Sequence, residues 1–163
     1  MKQLRIYFQT VLLLIFFQSA FGQEITQKDN AKEAAIEKMI DSKRFVFKAQ
    51  FALPMRGSSR QLTSEYDLKV SDEKVVAYLP YFGRAFSAPM NPSEGGIKFT
   101  SSDFDYKSKE KKKGGWEILI KPNDTRSVRK LFLSVSTAGY ATLRVLSNNK
   151  DAISYNGYIQ NLN

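Results

Sequence analysis

Arg84 is the residue of this chain whose neighbours best suit it for recognition. It stands in Tyr78-Leu79-Pro80-Tyr81-Phe82-Gly83-Arg84-Ala85-Phe86. There Tyr78, Tyr81, Phe82 and Phe86 offer aromatic faces to an apolar or ring-shaped molecule, and the guanidinium offers a planar fork to a carboxylate or phosphate. The same composition also describes a loop held down by its own aromatics, shaped by Pro80, Gly83, Pro89, Pro92, Gly95 and Gly96, with Arg84 bonded to loop carbonyls. A second candidate is basic. Lys107, Lys109, Lys111, Lys112 and Lys113 crowd one short run interrupted by Glu110. Such a run suits an anionic envelope component, and it equally suits a solvated hairpin tip that discourages edge-to-edge strand pairing. No aromatic residue interleaves it as a nucleic-acid platform requires, so nucleic acid is not expected as a partner.

The chain contains neither histidine nor cysteine. That excludes Ser-His-Asp and Cys-His catalysis, the usual zinc sites and a histidine general base, and it leaves packing to support the fold without disulfides. Carboxylate, lysine, tyrosine and hydroxyl chemistry remains. Asp67, Asp72, Glu73, Asp103 and Asp105 supply carboxylates, but a carboxylate hydrolase needs two of them held across one cleft. Asp103 and Asp105 also lack the glycine-containing series of alternate oxygen ligands that a calcium loop uses. A non-enzyme with no metal and no cofactor is therefore expected.

The elements that must position these residues follow from periodicity. Ala31, Ala34, Ala35, Ile36, Met39 and Ile40 recur at helical spacing behind Asp29-Asn30, which predicts a helix over 29–42 that packs as a lid or plug. From Arg44 the period becomes two. Phe45, Phe47, Ala49, Phe51 and Leu53 predict a core strand with three phenylalanines on one face. Tyr66 to Val70 and Val75 to Leu79 predict a hairpin. Ile97 with Phe99, and Phe104 with Tyr106, lie on opposite parities, so a bulge or turn is expected within 101–103. Trp116 to Ile120 closes a hairpin with the lysine run at its tip, a helical turn capped by Asp124 is expected over 124–130, and Leu131 to Val135 pairs with Ala141 to Val145. Asn156-Gly157 is a strong turn signal, yet Ile153, Tyr155, Gly157 and Ile159 share a parity, so one closing strand is expected. Gly157 would then mark a bend or a close backbone approach. Eight or nine strands joined by short turns predict a mainly β fold, a short N-terminal helix followed by an antiparallel eight- to nine-stranded lipocalin-like barrel. A two-sheet β-sandwich is the alternative.

The N-terminus has a basic start at Lys2 and Arg5, an apolar Val11–Phe17 and Ala20-Phe21-Gly22, the three parts of a secretory signal peptide with cleavage after Gly22. The apolar run falls short of the ~20 residues a membrane helix needs, and no cysteine is available for lipid attachment. The expected organisation is a signal peptide over 1–22, a flexible N-terminus over 23–28 and one domain over 29–163, without a transmembrane segment. The whole chain has a formal charge of +9, which favours an anionic partner.

The blocks Tyr78-Leu79-Pro80-Tyr81-Phe82-Gly83-Arg84-Ala85, Gly95-Gly96-Ile97-Lys98-Phe99, Gly115-Trp116-Glu117-Ile118 and Ile153-Ser154-Tyr155-Asn156-Gly157 together resemble a family of exported proteins of unknown function from Bacteroides-type bacteria. The resemblance covers nearly all of the chain after residue 22. It implies a periplasmic or secreted domain of lipocalin-like topology and supplies no activity. The expected function is a non-catalytic binding module for a small apolar or amphiphilic ligand, with Tyr78, Tyr81, Phe82, Arg84 and Phe86 as first contacts and Lys109, Lys111, Lys112 and Lys113 as a basic surface. The alternative is an envelope interaction or structural protein that works through its surface. A ligand in the barrel interior requires a cavity of a few hundred cubic ångströms.

Overall fold

The computed structural model describes residues 20–86 and 95–162, with side chains from residue 29 onward. Residues 1–19 of the expected signal peptide, and Pro89 and Pro92 of the aromatic loop, lie outside the described residues. One helix, α1 (Ala20–Asp41), precedes nine strands: β1 (Phe45–Pro54), β2 (Arg60–Val70), β3 (Val75–Leu79), β4 (Ile97–Ser101), β5 (Phe104–Glu110), β6 (Trp116–Pro122), β7 (Val128–Val135), β8 (Tyr140–Ser147) and β9 (Ile153–Asn161). They form one sheet in the order β4-β3-β2-β1-β9-β8-β7-β6-β5, every neighbour antiparallel.

The nine strands form a nearly closed barrel. Directions alternate along the order, so the two end strands, β4 and β5, run the same way. Only Ser102 and Asp103 separate them in the chain. They are therefore one long strand, bent where the parity switch predicts, whose first half pairs with β3 and whose second half pairs with β6. The eight- and nine-strand readings describe the same object. Asp124 fixes the bend, accepting the backbone N–H groups of Ser102 (2.8 Å) and Asp103 (3.2 Å). The segment after Pro122 thus braces the bend instead of forming the expected helical turn, and β7 begins at Val128.

β1 departs from simple alternation. A bulge at Gln50 shifts the register between Ala49 and Phe51 on both sides of the strand. Ala52 turns inward and is buried, whereas Phe51 turns outward, 42 % exposed. The expected third core phenylalanine therefore lies on the outer wall. β9 is a single strand, as its parity demands, and Gly157 lies against the bulge, where a Cβ would collide with the Lys48 carbonyl.

α1 plugs one end of the barrel. It begins at Ala20, so Asp29 lies within it and is not its cap. Its contact face is narrower than the alanine spacing predicts: Ile36, Met39 and Ile40 are buried while Ala31, Ala34 and Ala35 are exposed. Lys43 adopts the left-handed conformation (φ 53°), and the Arg44 N–H returns to the Met39 carbonyl at 3.0 Å, a Schellman ending made without glycine. The Ile40 carbonyl accepts the Lys43 N–H at 3.2 Å and also receives the Tyr106 hydroxyl of β5 at 2.9 Å. Burial, and secondarily the Asp41 carboxylate, pushes the Tyr106 pKa up.

Candidate functional site

A ligand inside the barrel needs room. Phe45, Phe47, Leu68, Leu79, Ile118, Ile120, Leu131, Leu133, Leu143, Ile153 and Tyr155 from the barrel, with Ile40 from α1, leave essentially no surface open to a water-sized sphere. A chamber fit for a small ligand would open the side chains along its wall to such a sphere. Among the described residues these buried side chains belong to one contiguous hydrophobic cluster that runs through the interior.

The aromatic segment lies across the opposite end of the barrel from α1. The Tyr155 hydroxyl donates from the interior to the Pro80 carbonyl, and burial, with Tyr81 nearby, drives the Tyr155 pKa far above the ordinary phenol value. Tyr81 is half-buried. Its hydroxyl donates to the Arg84 carbonyl at 2.7 Å, with the Asp151 carbonyl at 3.2 Å. Burial and then the Asp151 carboxylate raise its pKa. The backbone joins the β8–β9 turn through Asp151 N–H to Arg84 carbonyl (3.0 Å) and Phe86 N–H to Asn149 carbonyl (2.8 Å). Lys150 spans the segment, its ammonium 5.1 Å from the Tyr81 ring centre and bonded to the Gly96 carbonyl at 2.7 Å.

These contacts separate the residues that the spacing groups together. Tyr81 and Phe82 pack against the core, and the Arg60 guanidinium covers the Phe82 ring at 4.9 Å. Tyr78 points outward from β3, stacked on Tyr66 at 5.6 Å with the Lys98 ammonium 4.8 Å from its ring. Arg84 and Phe86 are exposed, the guanidinium 6.0 Å from the Phe86 ring. The five side chains do not converge on one point.

The carboxylates are dispersed in the same way. Asp67 lies 3.3 Å from the Lys48 ammonium and 3.9 Å from that of Lys69, Asp105 lies 3.7 Å from Lys121, and Asp103 accepts the Asn123 amide at 3.2 Å. Among the described residues no group of three or more acids gathers as a metal site would require.

Convergence occurs instead on the outer wall of β5–β8. The ladders align two rows of outward side chains. One runs Lys107, Leu119, Phe132, Arg144; the other runs Lys109, Glu117, Ser134, Thr142, Asn156. Lys111 keeps the outward parity of Lys107 and Lys109 and leans back to donate to the Ser134 hydroxyl at 3.0 Å. Lys112 and Lys113 stay on the exposed turn. These rows line a groove of about 420 Å³. A second groove of about 470 Å³ continues from Ser134 and Thr142 toward Phe51 and Tyr140. Phe132 is 40 % and Tyr140 68 % exposed, so the floor holds large apolar surface in the open. The chemistry on offer is apolar contact beside cations.

Of the candidate lysine run, Lys107, Lys109 and Lys111 line these grooves. Leu119, Phe132 and Arg144 were not among the expected site residues. Their signal lies in broken alternation: Ile118-Leu119-Ile120 and Leu131-Phe132-Leu133 place an apolar residue on the parity that should face water.

A family model described as a domain of unknown function, DUF4251, matches residues 27–159. The chain belongs to this family. Among solved structures it is similar to a DUF4251 family protein from Bacteroides eggerthii DSM 20697, at 16 % identity and a TM-score of 0.59 over 80 % of this chain and 88 % of that one. At that identity the likeness is one of fold. No match was found among curated proteins. The DUF4251 fold here is thus a bent-strand barrel closed between β1 and β9, and the family description assigns it no reaction.

Proposed function

We propose that this DUF4251 protein is an exported, soluble, non-catalytic binding module that takes an apolar or amphiphilic molecule on its outer wall and not inside its barrel. The observation that carries this is the pairing of a closely packed interior with the open Leu119–Phe132 floor. Lipocalin-like barrels that hold ligands internally keep a cavity of some hundreds of cubic ångströms; among the described residues the core side chains are closed to solvent, and this groove lies on the outer wall. Export, with cleavage after Gly22, rests on the N-terminal pattern. No helix among the described residues is long and apolar enough to cross a membrane.

The test uses a neutral apolar fluorophore, N-phenylnaphthylamine. Saturable fluorescence enhancement is expected with the parent and is expected to fall in Phe132→Ser, whose side chain leaves the wall without disturbing the core. Enhancement unchanged by Phe132→Ser removes the outer-wall site. A second reading, an envelope protein acting through its surface, is favoured by the exposed Phe51 and Tyr140 beside the lysine run. A co-purifying envelope protein lost on Phe132→Ser would favour it.

A further inference from the structure

We infer that the groove over β5–β8 selects a free single-chain amphiphile with an anionic head, the chain lying on Leu119 and Phe132 and the carboxylate or phosphate held by Arg144. The inference rests on the outer-wall site proposed above and adds the chemistry of its occupant.

Charge decides the head. Lys107, Lys109 and Arg144 border the groove and Glu117 is the acid in its lining, so the rim has a net positive charge. Among the described residues neither Lys107 nor Arg144 forms an ion pair with a carboxylate. Arg144 lies directly across the ladder from Phe132 and carries the planar fork that binds a carboxylate or phosphate through two parallel bonds. Its other cross-strand neighbour is the uncharged Ser154.

Geometry decides the chain. Lys107 and Arg144 are three strands apart, about 14 Å at the usual strand spacing, with two apolar side chains between them. That strip is one side chain wide along the row, which suits one chain better than a two-tailed lipid. An extended acidic peptide fits less well. β6, β7 and β8 are paired on both sides, so they have no free backbone edge for strand addition. The volume of about 420 Å³ falls within the range of small-molecule sites.

Calorimetry with three twelve-carbon probes below their micelle concentrations tests this: dodecanoate, dodecyl maltoside and dodecyltrimethylammonium. Dodecanoate is expected to bind tightest and to weaken with added salt. Arg144→Gln is expected to weaken it roughly tenfold, the loss of one charge-assisted contact, and to leave dodecyl maltoside unchanged. Phe132→Ser is expected to weaken both. Equal affinity for all three heads, or no effect of Arg144→Gln, overturns the anionic-head assignment while the outer-wall site stands. Absence of binding by every probe overturns the site and the assignment together. Two further results also overturn it: binding to phosphatidylglycerol vesicles without binding of free dodecanoate, and a concentration-dependent dimer abolished by Phe132→Ser, which would give the groove to a second copy.

Discussion

Gly157→Ala tests the closure of the barrel. Gly157 pairs with Ala49 across β1 and β9, beside the bulge at Gln50. A Cβ there would overlap the Lys48 carbonyl oxygen and lie 2.9 Å from its carbon and 3.2 Å from the Ala49 Cα. All three are backbone atoms, so no rotamer change relieves the clash. Overpacking of this kind costs about 1–3 kcal/mol, and each ladder bond lost as β1 moves away adds about 1 kcal/mol. With one bond lost, the sum expected is about 2–4 kcal/mol. At an unfolding entropy of about 2.1 cal/mol/K per residue, that lowers the melting temperature by roughly 7–14 °C. Differential scanning calorimetry reads the shift directly. Gly57→Ala is the control, since Gly57 has a positive φ of 97° but nothing within 4 Å of its Cβ; conformational strain alone, about 1–3 kcal/mol, is expected there. A Gly157→Ala protein that melts no lower than Gly57→Ala would refute the close approach of β1 and β9.

Three further outcomes follow from the same structure. Phe47→Ala is expected to cost about 3–5 kcal/mol as a core truncation, whereas Phe51→Ser is expected to stay within about 0.5 kcal/mol as a surface change; equal urea midpoints would contradict the bulge. Tyr155→Phe removes the donor to the Pro80 carbonyl and is expected to cost about 1–2 kcal/mol, with faster amide exchange over 81–86; unchanged exchange would mean that the segment is not anchored from the interior. The Ser101 hydroxyl and the N–H groups of Ser102 and Asp103 hold the Asp124 carboxyl below its usual range. Its contribution is complete above the unfolded-state pKa of about 3.9 and is lost as pH falls through the depressed folded value. The stability gap between parent and Asp124→Asn should therefore close as pH drops from about 5 to about 2, and a constant gap would count against the brace.

Periodicity made most of the fold legible. Strands read correctly where inward and outward residues alternate without interruption, as in Trp116-Glu117-Ile118 or Leu143-Arg144-Val145, and the parity of Ile153, Tyr155, Gly157 and Ile159 outweighed the Asn156-Gly157 turn signal. The misreadings have one cause, a contact distant in sequence overriding a local pattern. Alternation alone places Phe51 in the core, because the Gln50 bulge depends on what lies across β2 and β9. Asp124 looked like a helix cap because its acceptors, the N–H groups of Ser102 and Asp103, belong to a bend 21 or 22 residues away. The alanines of α1 have helical spacing, but a plug needs only the width of Ile36, Met39 and Ile40. The composition of the aromatic segment reflects anchoring: Tyr81 bonds carbonyls and Phe82 packs. The outer groove was hard to read because it is assembled across four strands, with each contributing one or two residues.

Methyl NMR of the protein titrated with dodecanoate tests the central claim most directly. Binding on the outer wall predicts shifts and ligand NOEs at Leu119, and ligand NOEs to the Phe132 ring, while the interior methyls of Leu68, Leu79, Ile120 and Ile153 stay in place. Ligand NOEs to those interior methyls, with Leu119 unmoved, would put the ligand inside the barrel and contradict the account.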